Sequence, residues 1–78
     1  MISTMANDNN TEQNELDKVK LGKAILALRL DSGLSQQSVA DTLGTTRRSI
    51  YNWETGYSTP SAIKLVDMLE LYGVIPSG

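Results

Sequence analysis

The stretch from Gln36 to Trp53 admits few folds, because its small, apolar and turn-forming residues recur at set distances. Gln36 is followed after three residues by Ala40 and after three more by Gly44, then by Ile50 six residues on and by Trp53. Steps of three and four put side chains on one face of a helix, and a glycine between two such runs supplies a left-handed turn that a Cβ resists. Ala40 is small enough to let two short helices cross closely, while Ile50 and Trp53 give the second of them an apolar edge to bury. The indole reads as core and not as a stacking platform, since its spacing from Ile50 turns it inward.

The rest of the chain extends this pattern into four helices. Periodicity starts near Asp17, read as a cap, and runs through Leu21, Ile25 and Leu28 to a stop at Gly33. Ser35 stands at the N-cap position of a second helix with the stripe Val39, Ala40 and Leu43. Thr46 can cap a third, which runs out at Gly56, and Tyr57 to Thr59 form a loop. Pro60 suits the first turn of a fourth helix, with Ile63, Val66 and either Leu65 or Leu69 facing inward before Gly73. No segment alternates as a strand does, so the expected class is all-α.

Residues 1–16 read as a disordered acidic and polar arm, residues 17–75 as the folded domain and 76–78 as a tail. The charge follows this division. The net charge of −2 conceals an arm in which Asp8, Glu12, Glu15 and the adjoining Asp17 meet no Lys or Arg, whereas residues 18–78 carry seven basic residues against five acids, or 7 − 5 = +2. A weakly basic domain behind an acidic arm is compatible with binding phosphates.

Cysteine and histidine are both absent. Disulfides and the usual zinc sites are thereby excluded, and the common acid–base and nucleophilic groups are missing, so neither an enzyme nor a cofactor is expected. The amino terminus lacks the basic start and apolar run of a secretory signal, and no stretch reaches membrane-spanning length. The expected location is cytoplasmic, with no membrane partner.

With Ile50 and Trp53 turned inward, a step of about 100° per residue leaves Arg48, Tyr51, Asn52 and Thr55 on the outward face of the third helix, and Arg47 at its edge. Such a face suits DNA. Arginine can hold guanine O6 and N7 with two bonds, asparagine can hold adenine N6 and N7, and the Thr46 methyl can touch thymine.

Arg29, Gly33-Leu34-Ser35-Gln36, Ala40, Gly44, Ile50, Trp53-Glu54, Gly56 and Pro60 together resemble the phage-repressor and Cro-type helix-turn-helix family over residues 18–75. The resemblance implies a compact four-helix, lambda-repressor-like DNA-binding domain, with the fifth helix of many relatives missing. It implies double-stranded DNA as partner, the third helix in the major groove, and base contacts from Thr46, Arg47, Arg48 and Asn52. Phosphate contacts are expected from Gln36, which opens the second helix, and from Ser49, Tyr51 and Tyr57. Arg29 and Glu54 are expected to form a structural ion pair.

The implied function is transcriptional regulation, most simply repression, at a pseudo-palindromic operator bound by a homodimer. The alternative is an antitoxin or adaptor module whose arm meets a protein partner. Leu26 and Leu30 depart from the family pattern, standing where polar residues are usual. For the dimer surface, the terminal residues Leu71, Tyr72, Val74 and Ile75 come first, and Leu26 with Leu30 second.

Overall fold

The computed structural model describes residues 2–76, with side chains from Gln13 onward. Met1, residues 77 and 78 of the expected tail, and the side chains of arm residues 2–12 lie outside the described residues. Four helices follow one another: α1 (Ile2–Ser32), α2 (Gln36–Leu43), α3 (Arg47–Thr55) and α4 (Ala62–Leu71), with no strand among the described residues. α3 lies between α1 and α2, and α4 packs on α2. Ile25, Val39, Ala40, Leu43, Ile50 and Met68 form the core, edged by Leu21, Leu34, Trp53, Leu65, Leu71 and Tyr72.

Local chemistry sets the helix ends. The Ser35 hydroxyl accepts from the Ser38 amide at 3.0 Å, Thr46 from the Ser49 amide at 3.1 Å, and Ser61 from the Lys64 amide at 3.2 Å, each satisfying a donor that the helix itself leaves free. Gly44 closes α2 at φ +69°, the left-handed turn required between the crossing helices. The Lys64 ammonium donates to the Leu43 carbonyl at the negative end of α2 and so ties α4 to it.

Two boundaries differ from the sequence reading. α1 begins at Ile2, so the backbone of the stretch read as a disordered arm is helical. Residues 2–21 contain neither proline nor glycine, so a helix nucleated by the packed turns at Leu21 to Leu28 meets nothing that stops its propagation. Asp17 is consequently no cap, and its carboxylate accepts from Gln13 Nε2 at 3.0 Å within the helix. Pro60 precedes the cap Ser61 instead of occupying the first turn.

The rotation of α4 also differs. Ile63 and Val66 are 71% and 42% exposed, while Met68 is fully buried and Leu65 packs at the core edge. Apolar residues occur all around this helix, so periodicity admits several registers; the Ser61 cap and the Lys64 tether select the one observed. Beyond it the chain turns back, with the Val74 and Ile75 amides donating to the Leu69 carbonyl at 2.9 and 3.4 Å. Leu71 and Tyr72 thus pack on their own domain, leaving Val74 as the exposed apolar residue of the expected terminal dimer surface.

Gly22 is buried where α1 crosses α3. A Cβ there would stand 2.6 Å from the Glu54 carbonyl oxygen and 2.7 Å from that of Trp53. Two backbones therefore meet at a distance that only glycine permits. The sequence did carry a signal for it: a glycine inside a helical run costs about 1 kcal/mol against alanine and turns no corner there.

Candidate nucleic-acid interface

α3 is held on one side and free on the other. Ile50 and Glu54, four residues apart, are buried against α1 and α2, with Trp53 half-buried beside them. On the opposite side Arg47, Arg48, Tyr51 and Thr55 are exposed and Asn52 is half-buried. Arg48, Tyr51, Asn52, Thr55 and Tyr57 line one shallow depression, and Arg47, Arg48 and Tyr51 line its neighbour. Two guanidiniums, a carboxamide and two phenols are thereby gathered on one surface.

Behind this face lies a buried ion pair. Arg29 Nε donates to Glu54 Oε2 at 2.6 Å, Nη2 to Oε1 at 3.1 Å and Nη1 to the Leu34 carbonyl at 2.9 Å. This two-point contact joins the end of α1, the turn before α2 and the end of α3. The hydrogen bond to Glu54 holds the Arg29 guanidinium above its usual pKa, against the opposing effect of burial.

Gln36 carries the connection outward. Its Nε2 donates to the same Glu54 Oε1 at 2.9 Å, and its Oε1 accepts from Arg47 Nη1 at 3.5 Å. The amide nitrogen has a second N–H, so its bond to Glu54 leaves a donor for another acceptor. Sequence reasoning treated Gln36 and the Arg29–Glu54 pair as separate; the carboxylate joining them becomes visible only once α2 and α3 cross.

The other expected phosphate and base contacts stand at the rim. Thr46 is exposed, with its hydroxyl engaged as the α3 cap and donating to the Ser49 hydroxyl at 3.1 Å, while Ser49 is half-buried. Tyr57 is largely exposed in the loop after α3, close to Tyr51 across the depression. Tyr72, by contrast, belongs to the interior. Its buried hydroxyl has no hydrogen-bond partner, and burial first, then the Glu54 carboxylate, push its pKa up to about 12 while Arg29 opposes them.

The family model described as "Helix-turn-helix" matches residues 25–77, about two-thirds of the chain. The chain belongs to that family, in its Cro/repressor-like branch. No curated protein and no solved structure is significantly similar to it. As a helix-turn-helix protein it is of the DNA-binding, transcription-regulator type. The match takes in α2, α3, α4 and the last turns of α1, so the earlier turns of α1, residues 2–24, lie outside the part shared with the family. No helix of the described residues of this helix-turn-helix protein is long and apolar enough to cross a membrane.

Proposed function

We propose that the protein represses transcription by binding a pseudo-palindromic operator as a homodimer, with α3 of each copy in the major groove. The observation that carries this reading is that α3 buries Ile50 and Glu54 while presenting Arg47, Arg48 and Asn52 outward from a short, doubly capped helix. Arg47, Arg48 and Asn52 then read base edges, and the exposed Thr46 brings its methyl to a thymine. Gln36, Ser49, Tyr51 and Tyr57 set the register on the phosphates. Gln36, held by Glu54, meets its phosphate with little loss of rotamer freedom. A single module buries limited surface, so two half-sites about one helical turn apart raise both affinity and specificity.

The test is a selection of bound genomic fragments with the purified chain, followed by footprinting of the fragment recovered. The reading expects a two-part site, and a triple Arg47→Ala, Arg48→Ala, Asn52→Ala variant that no longer protects it. Protection of the same site by that variant refutes the assignment of the recognition face.

The antitoxin or adaptor reading has one observation in its favour: the turns of α1 that carry the exposed acids Glu15 and Asp17 lie outside the family match. Deleting residues 1–14 separates the two. The regulator reading expects operator binding to survive, and the adaptor reading expects capture of a protein partner to be lost.

A further inference from the structure

α1 carries a second apolar line, away from the one that meets α3. Leu16, Val19, Lys23, Leu26 and Leu30 succeed one another by three, four, three and four residues, the a/d spacing of a coiled-coil seam. Leu16 and Leu30 are 63% and 62% exposed, Val19 is exposed beside Gly56, and Leu26 is half-buried. The centre of this line lies roughly 130° around the helix from the centre of the core-facing line. The domain itself therefore leaves most of it uncovered.

The flanking charges indicate what covers it. Glu15 immediately precedes the seam residue Leu16, and Lys20 immediately follows Val19, which are the g and e positions of the repeat. In a parallel, in-register pair Glu15 of one copy faces Lys20 of the other, twice by symmetry; an antiparallel pair brings Lys20 toward Ala27 instead. Glu15 lies 3.7 Å from Lys18 of its own helix, a solvent-exposed contact too weak to withhold it from a partner. Among the described residues, none from Gln13 to Lys20 belongs to the core, and a helix of such polar composition is marginal in isolation.

We propose that α1 pairs in parallel with α1 of a second copy along Leu16 to Leu30. This deepens the homodimer reading above by naming its surface and direction, and it is decided in the absence of DNA. Lys23, in the middle of the seam, weakens the pairing while favouring one register. The apolar seam spans only about two heptads, so the free dimer is weak and gains when two copies occupy adjoining half-sites.

Sedimentation equilibrium of the full chain from about ten to several hundred micromolar should show a reversible monomer–dimer equilibrium. Leu16→Gln with Leu30→Gln, at two exposed positions, should raise the dissociation constant at least about tenfold while thermal unfolding measured at low concentration stays unchanged. The chain has no cysteine, so Leu30→Cys reports the direction. A parallel pair links to itself on oxidation, whereas an antiparallel pair, which sets a positions against d positions, links only in a mixture with Val19→Cys chains. Glu15→Lys should weaken association, and adding Lys20→Glu should restore it. A monomer throughout the range, a dimer indifferent to the seam substitutions, or linkage confined to the mixture overturns the proposal. A chain that dimerises in this way yet binds no DNA sinks the repressor reading and leaves this one standing.

Discussion

Replacing Gly22 by alanine sets two opposing effects against each other. Alanine is the better helix former by about 1 kcal/mol, so helix propensity alone predicts a more stable protein. The new Cβ, however, would stand 2.6 and 2.7 Å from two carbonyl oxygens and 3.0 Å from the Glu54 carbonyl carbon, all of them backbone atoms that cannot swing away. To regain ordinary contact at 3.4 Å, α1 and α3 must separate by about 0.8 Å. A gap of about 0.5–1 Å forfeits roughly a quarter to a half of the dispersion attraction at each contact, and this one opens between Ile25 and Ile50 in the centre of the core. It also lengthens the Arg29–Glu54 contact, whose partners sit one on each helix. Overpacking typically costs about 1–3 kcal/mol, and here both sides are backbone, so the clash outweighs the propensity gain. Urea unfolding followed by Trp53 fluorescence and by circular dichroism should show a lower midpoint with little change in slope, and a fall in Tm of at least about 4 °C. A Gly22→Ala protein as stable as its parent, or more so, refutes the close crossing.

Glu54→Gln leaves the Arg29 charge buried and unpaired and should cost about 3–5 kcal/mol in denaturant titration, whereas Arg29→Met with Glu54→Leu should recover most of that loss; equal losses in the two proteins contradict a desolvated pair. The rotation of α4 is tested by Met68→Ala, expected to cost about 2–5 kcal/mol, against Ile63→Ala, expected to stay within about 0.5 kcal/mol. The reverse order of melting temperatures refutes that rotation. Tyr72 ionises near 10 in an unfolded chain and near 12 when folded, so its contribution to stability is complete below pH 10 and declines as pH rises from there toward 12. A Tyr72→Phe variant, with no hydroxyl to ionise, should show a smaller decline over that interval in pH-dependent unfolding, and an identical alkaline profile counts against the burial argument. Arg48→Ala should relax preference at one base pair of the recovered operator at a cost of about 1–3 kcal/mol, read by competition with single-base variants. A loss of affinity that is uniform across those variants assigns Arg48 to the phosphates instead.

Short-range chemistry carried most of what was legible in the chain. The caps Ser35 and Thr46, the stop at Gly44, the buried Ile50 and the outward Arg47, Arg48 and Asn52 follow from spacings of three to eleven residues, over which a helix's own geometry decides direction. α4 defeated the same reasoning because apolar residues surround it, and its rotation depends on a cap at Ser61 and on a carbonyl 21 residues away at Leu43. The extent of α1 was hidden for another reason: polar composition signals that nothing is buried but does not forbid a helix that grows from an anchored end.

The amino-acid sequence by itself determined the number and order of the folded helices and which face of α3 points away from the core, since both depend on neighbours within one or two helical turns. Only the tertiary structure decided that Glu54 holds Arg29 and Gln36 with a single carboxylate, and that α1 and α3 touch backbone to backbone at Gly22. Those contacts join residues 18 to 32 positions apart, and their geometry arises from how helices cross, which no local periodicity encodes.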